Sequence, residues 1–140
     1  MSKTFTAAIK DFSNIPEEKV RGTLIGMGSA IIKASPVADP STWKTPVKGY
    51  VGGRFRANWQ FSIDAPAAGA SQGPDRSASN SNTQLLASAG KMVAGNTFYM
   101  TNNVPYALAL EYGWSKQAPQ GIVRTILSQY KFFIEEAAKK

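Results

Sequence analysis

Cysteine and histidine are both missing from the 140 residues. Without thiols there are no disulfides and no cysteine nucleophile; without imidazole there is no histidine-based triad and no zinc site built on Cys or His. Catalysis would have to run on carboxylates, lysine or tyrosine. Asp64 and Glu111 can be imagined as an acid and base pair, but nothing in their spacing points to it, so the expectation is a non-enzymatic protein with no cofactor and no metal. Long apolar runs are missing too. No window approaches the roughly eighteen apolar residues of a membrane span, and MSKTFTAAIK is too polar for a secretory leader, so a soluble chain made in a cytoplasm is expected.

Acidic residues are scarce: nine Asp and Glu stand against sixteen Lys and Arg, a formal charge of +7. The excess is spread along the chain rather than gathered in a tail, so a solvated surface, nucleic acid and an acidic protein all remain open as its counterpart. The length fits a single domain spanning 1–140, large enough to bury one core.

Phe5, Ile9 and Phe12 fall at helical spacing, which makes 1–14 an arm or a short helix. Asn14 with Glu17 has the form of a capping box, and Val20, Leu24, Met27, Ile31 and Ala34 trace one face of a helix over 15–34. Gly22, Gly26 and Gly28 would each weaken it by about 1 kcal/mol relative to Ala, which signals either another chain segment packed close or a merely weak helix. Residues 35–53 hold three prolines and three glycines and read as an irregular connection pinned by Trp43, Val47, Tyr50 and Val51. From Arg54 to Ile63 apolar and polar residues alternate, the pattern of a strand with Arg54 and Arg56 on its outer face. Two arginines so placed can reach successive phosphates of a DNA strand, or can simply keep that face solvated.

Residues 64–82, rich in Ala, Gly, Ser, Pro and Asn, lack apolar anchors and are expected to be a flexible loop, a candidate to order against a neighbour. Leu85, Leu86, Ala89, Met92 and Val93 predict a helix of about three turns, capped near Ser81 or Asn82 and stopped by Gly95, and 96–101 predicts a second strand. Residues 121–140 give the clearest helix, with Ile122, Ile126, Tyr130, Phe133 and Ala137 on one ridge and Val123, Leu127 and Ile134 on the next. The sum is an α+β domain: a small, mostly antiparallel sheet packed against long N-terminal and C-terminal helices, with a third helix between the strands.

The chain turns most densely between Asn102 and Arg124, NNVPYALALEYGWSKQAPQGIVR. Pro105 suits a first helical turn, Gly113 a left-handed stop, and Pro119 with Gly121 the approach to the next helix. Between these stops lie Tyr106, Leu108, Leu110, Tyr112 and Trp114, more apolar surface than a connection needs.

Asn103-x-Pro105-Tyr106-Ala107 followed by Glu111-x-Gly113-x-Ser115-x-Gln117-Ala118-Pro119-x-Gly121-x-Val123-Arg124 resembles the C-terminal signature of small neck and tail-completion proteins of long-tailed phages. Thr45-Pro46-Val47 with Gly53-x-x-Arg56-x-x-Trp59 resembles an upstream piece of the same family, although Lys48 to Gly52 replaces its acidic residue and Thr-Gly. The likeness covers about 15–138. It implies a structural virion protein that forms a ring, typically sixfold, in the neck or at the head-proximal end of the tail and helps join the DNA-filled capsid to the tail tube. Its partners would be copies of itself, adjacent neck and tail proteins, and genomic DNA in the channel.

On that footing the candidate subunit-interface residues are Pro105, Tyr106, Leu108, Glu111, Tyr112, Trp114, Gln117, Pro119, Arg124 and Phe133, with Glu111 pairing to a basic residue of the next subunit. Lys48, Arg54, Arg56 and Lys91 are candidates to face a DNA channel. A tail terminator or a head-closure ring of the same particle fits the same pattern, and a free-standing basic nucleic-acid-binding module is the remaining alternative.

Overall fold

The computed structural model describes residues 16–37, 52–70, 73–93 and 95–139. Expectations for the N-terminal arm, for the cap at Asn14, for Trp43, Val47, Tyr50 and Val51, and for Lys48 lie outside these residues.

The chain forms helix α1 (Glu17–Ala34), a helical turn α2 (Arg54–Ala57), strand β1 (Trp59–Ile63), helix α3 (Ser79–Ala89), strand β2 (Phe98–Asn102), and helices α4 (Ala107–Glu111), α5 (Val123–Leu127) and α6 (Tyr130–Ala138). β1 and β2 pair antiparallel, with Trp59 opposite Asn102, Phe61 opposite Met100 and Ile63 opposite Phe98. The result is an α+β fold with a small antiparallel sheet and a helix between its strands. Among the described residues no helix is long and apolar enough to cross a membrane.

α1 lies at the centre of the packing. Its fully buried Ile32 joins Phe55, Trp59, Leu85, Val104, Ile122 and Ile126 in the core. The three glycines explain how neighbours come so near. A Cβ at Gly22 would stand 3.2 Å from Ala137 Cβ, one at Gly26 would stand 3.2 Å from Phe133 Cδ1, and one at Gly28 would meet Leu85 Cδ1 at 2.8 Å. Of the two readings open in the sequence, close approach is the one realised: α6 runs antiparallel along the first half of α1, and α3 inserts Leu85 beside Gly28.

Three boundaries differ from the sequence expectation. The alternation from Arg54 to Ile63 is not one strand, because Gly53 enters at φ 109° and the chain winds one helical turn before Trp59. The Asn58 side chain donates back to the Arg54 carbonyl at 2.7 Å and Asn102 donates to the Phe55 carbonyl at 2.8 Å, so side-chain amides satisfy a turn where ladder bonds were expected. Phe55 and Ala57 are buried all the same, although residues two apart on a helical turn point to different sides, so the turn is enclosed rather than laid on the core by one face.

The stretch from Asp64 to Asn82 is anchored where the sequence showed no anchor. Asp75 accepts from both the Ser81 amide and the Ser81 hydroxyl at 2.8 Å, Ala78 is buried, and the Gly69 carbonyl accepts from Gln60. α3 consequently starts at Ser79, capped from Asp75 rather than from Ser81 or Asn82, and ends at Ala89 rather than running to Val93.

The C-terminal helix is two helices, interrupted at Ser128 and Gln129. There the Ser128 hydroxyl donates to the Thr125 carbonyl at 2.7 Å, and the Gln129 amide bonds to Ile126, three residues back. A hydroxyl competing for backbone carbonyls is a known cause of such a tightened turn. The expected ridge survives the break: Ile122, Ile126, Tyr130 and Ala137 are buried and Phe133 is half-buried against the core.

Candidate functional site: a braced aromatic ridge

Past β2 the chain turns through Asn103 and the buried Val104 into α4, whose inner side, Ala107 and Leu110, packs against the core. Leu108 and Tyr112, one helical turn apart, share the opposite face. They are 71% exposed each, and Trp114 is 73% exposed. Single exposed apolar residues are ordinary, but three large ones within seven positions form a patch that soluble monomers seldom leave uncovered.

The ridge stands on a stiff support. α4 ends in a Schellman motif, in which the Gly113 amide donates to the Leu110 carbonyl at 3.2 Å and the Trp114 amide to the Ala109 carbonyl at 3.1 Å. Gly113 has φ 89°, and a Cβ there would lie 2.3 Å from the Pro119 carbonyl oxygen, so both conformation and space demand glycine.

Glu111 then ties this end to the next helix. Its Oε1 accepts from the Ile122 amide at 3.1 Å and the Val123 amide at 2.7 Å, while Oε2 accepts from the Arg124 amide at 3.2 Å and from Arg124 Nε at 2.9 Å. Arg124 Nη2 donates in return to the Glu111 carbonyl at 2.7 Å. Gly121, at φ 99°, leaves room for this approach, since a Cβ would sit 2.7 Å from both the carbonyl and the carboxylate oxygen of Glu111. Glu111 is therefore the N-terminal cap of α5, delivered from eleven residues upstream of Ile122. Partial burial acts to raise the Glu111 pKa; the hydrogen bonds from the Val123 amide, the Arg124 side chain, and the Arg124 and Ile122 amides outweigh it and hold the carboxyl below its ordinary value.

The other side of the connection is fastened to the end of α1. Gln117 forms a two-way pair with the Val37 backbone, donating to its carbonyl at 2.8 Å and accepting from its amide at 3.0 Å, and Ala118 beside it is buried. Asn103 donates to the Ala67 and Gly69 carbonyls. The Arg124 guanidinium, held by Glu111, lies 4.7 Å from the Tyr112 ring centroid and steadies that ring.

The expected interface residues thus divide by role. Leu108, Tyr112 and Trp114 face outward, with Pro105 and Pro119 also exposed. Glu111, Gln117 and Arg124 form the brace, and the Glu111 carboxylate bonds Arg124 of its own chain where a basic residue of another subunit was expected. Tyr106 is turned toward Phe55 at 6.4 Å between ring centroids. Phe133 is turned inward against Gly26 of α1, while its neighbour Phe132, not singled out from the sequence, is 55% exposed. The break at Ser128 and Gln129 shifts the periodicity that would have shown Phe132 as exposed; Leu86 in α3 and Val93 beyond it, both expected on the apolar face of that helix, are exposed as well.

The described basic candidates are engaged in different ways. Arg56 is a staple: its guanidinium donates to the Arg76 carbonyl and, at 3.1 Å each, to the Lys33 and Ser35 carbonyls. Burial pulls its pKa below the ordinary value, with Asp75 opposing and Arg76 adding to the effect. Arg54 lies over the Tyr106 ring at 5.9 Å, and Lys91 is exposed at the far end of α3. Asp64, the imagined acid, accepts from Asn96 and Thr97 and closes the end of the sheet. Among the described residues no group of three or more acidic side chains is placed to hold a metal ion.

Comparison with known proteins returned no matching family model, curated protein or solved structure.

Proposed function

We propose that the chain is a structural subunit of a ring in the neck or at the head-proximal end of the tail of a long-tailed phage, where it helps join the DNA-filled capsid to the tail. The observation that carries the reading is the ridge: Leu108, Tyr112 and Trp114, each more than 70% exposed, on a support fixed by the Schellman motif, Glu111 and Gln117. Rigid presentation of aromatic surface suits assembly, since little side-chain or loop entropy remains to be lost on association.

The residues that resemble the phage signature favour the same reading. Glu111, Gly113, Gln117, Ala118 and Gly121 are the bracing or buried positions, and Tyr112, Trp114 and Lys116, which fall between them, are exposed.

Electron microscopy of a lysate from the parent phage with this gene interrupted tests the proposal. Filled heads beside unjoined tails of normal length support the neck or tail-completion role. Tails of aberrant length indicate a terminator, leaking heads a head-closure ring, and normal infectious particles overturn the reading.

A further inference from the structure

The two strands of the sheet differ in what lies along their outer edges. The Asp64 amide donates to the Thr97 carbonyl at 2.7 Å, which makes 64 and 97 a hydrogen-bonded pair and, by alternation, 62 with 99 and 60 with 101 as well. Trp59, Phe61 and Ile63 on β1, and Phe98, Met100 and Asn102 on β2, therefore turn their backbone N–H and C=O groups away from the ladder. On β1 that edge runs beside α3, whose Ser88 hydroxyl donates to the Phe61 carbonyl at 3.5 Å. Along β2 no described helix is packed. Among the described residues the outward backbone groups of Phe98, Met100 and Asn102 make no hydrogen bond.

A row of donors and acceptors at the repeat of an extended chain is matched by another extended polypeptide. The devices that ordinarily keep such an edge single are missing here, since Phe98-Tyr99-Met100-Thr101-Asn102 holds no charge, no proline and no glycine.

The strand that matches it is β2 itself. About a two-fold axis at Met100, Met100 meets Met100 and Phe98 meets Asn102 as hydrogen-bonded pairs, so the outward groups of both strands are used together. Tyr99 then stands opposite Thr101 on the face shared with Gln60 and Ser62, while Phe98 and Met100 extend the apolar face that Phe61 begins. No charged side chain is set against its own copy. A slip of one residue would turn the apolar face of one strand onto the polar face of the other. β1 of a second copy is not available for the same purpose, because α3 occupies its edge.

We infer that the free chain pairs with a second copy through the outer edges of β2, forming one four-stranded antiparallel sheet across a two-fold axis at Met100. Pairing covers an edge that would otherwise template any extended chain it met. The contact closes after two copies and cannot extend a ring, so it goes beyond the ring reading, involves none of the ridge residues and does not depend on either.

The cysteine-free chain permits a test of this register. Tyr99→Cys and Thr101→Cys are made singly in the full chain, and each variant alone and their equal mixture are incubated with oxidised glutathione. Residue 99 faces residue 101 of the other copy at a spacing that a disulfide accepts, whereas 99 to 99 and 101 to 101 are diagonal pairs about 7 to 8 Å apart, beyond its reach. Disulfide-linked dimer several-fold more abundant in the mixture than in either variant alone is expected. Equal yields in all three samples, or no dimer in the mixture, overturn the inference.

Charge gives a second reading by sedimentation. Tyr99→Lys with Thr101→Lys in one chain sets ammonium against ammonium twice across the axis and should weaken pairing about tenfold or more; Tyr99→Lys with Thr101→Glu sets ammonium against carboxylate and should recover most of it. Equal loss in the two variants overturns the register. In the wild-type chain, amide exchange at Phe98, Met100 and Asn102 should slow as concentration rises. Rates independent of concentration, with a chain that sediments as a monomer throughout, overturn the pairing and leave the edge to a strand of a different protein. The interrupted-gene lysate reports on the ring reading alone, so either can fail without the other.

Discussion

Against the glycines of α1 the close neighbours are hydrocarbon: Ala137 over Gly22, Phe133 over Gly26 and Leu85 over Gly28. Past its C-terminal end they are polar. Arg56 grips the Lys33 and Ser35 carbonyls, Trp59 Nε1 donates to the Ser35 hydroxyl at 2.7 Å, and Gln117 pairs with Val37. The first region is held by close packing, which resists any change of volume. The second is held by directed bonds, which fix an irregular chain in one conformation and leave its outer side chains free. The exposed ridge of Leu108, Tyr112 and Trp114 stands on the second kind of support, where apolar residues are not needed to close the core.

Substitutions can break or sharpen that contrast. The largest effect should come from the packed region: Leu85→Ala removes a fully buried side chain wedged against α1 and should cost about 3 kcal/mol in urea denaturation. In the bonded region Gly113→Ala must accept φ 89° and a clash with the Pro119 carbonyl, for a loss of about 2 kcal/mol, with faster amide exchange concentrated in 112–121. A uniform rise in exchange across α1 and α3 would show that the two regions unfold as one unit and that the distinction is not energetic.

Glu111→Gln should cost less, about 1.5 kcal/mol, since an amide still accepts one of the backbone bonds but forfeits the charge-assisted pair with Arg124. This substitution also has a pH signature. The folded Glu111 pKa lies below the ordinary 4.5, so its stabilisation is complete above that value and is lost as pH falls through the folded pKa. In acid titrations the wild type should lose stability below about pH 4.5, and the variant should show a shallower decline over the same window. Identical acid limbs would mean that the Glu111 bonds do not survive in solution.

The smallest effect on folding is expected at the ridge itself. Trp114→Ala should stay within about 0.5 kcal/mol of wild type while abolishing self-association beyond a pair, measured by sedimentation. A loss of several kcal/mol would make Trp114 part of the core and remove the reason for treating the two regions separately.

Composition and periodicity were enough for the α+β class, the extent of α1 to within two residues, the place of α3 between the strands and the buried ridge of the C-terminal helices. These rest on local pattern: apolar residues at three and four mark the faces of α1 whatever lies against them. The density of turns and aromatics from Asn102 to Arg124 was legible for the same reason, with Gly113 and Gly121 both taking positive φ.

The division of that stretch into brace and contact surface was decided only by tertiary structure. Glu111 is a cap for α5 because folding brings it to amides eleven to thirteen residues away, and Arg56 is a staple because the carbonyls of residues 33 and 35 end beside it. Spacing along the chain carries no record of such meetings. Nor does it reveal that α6 closes over the glycines of α1; local pattern marks each helix face, but which faces meet belongs to neither sequence segment alone.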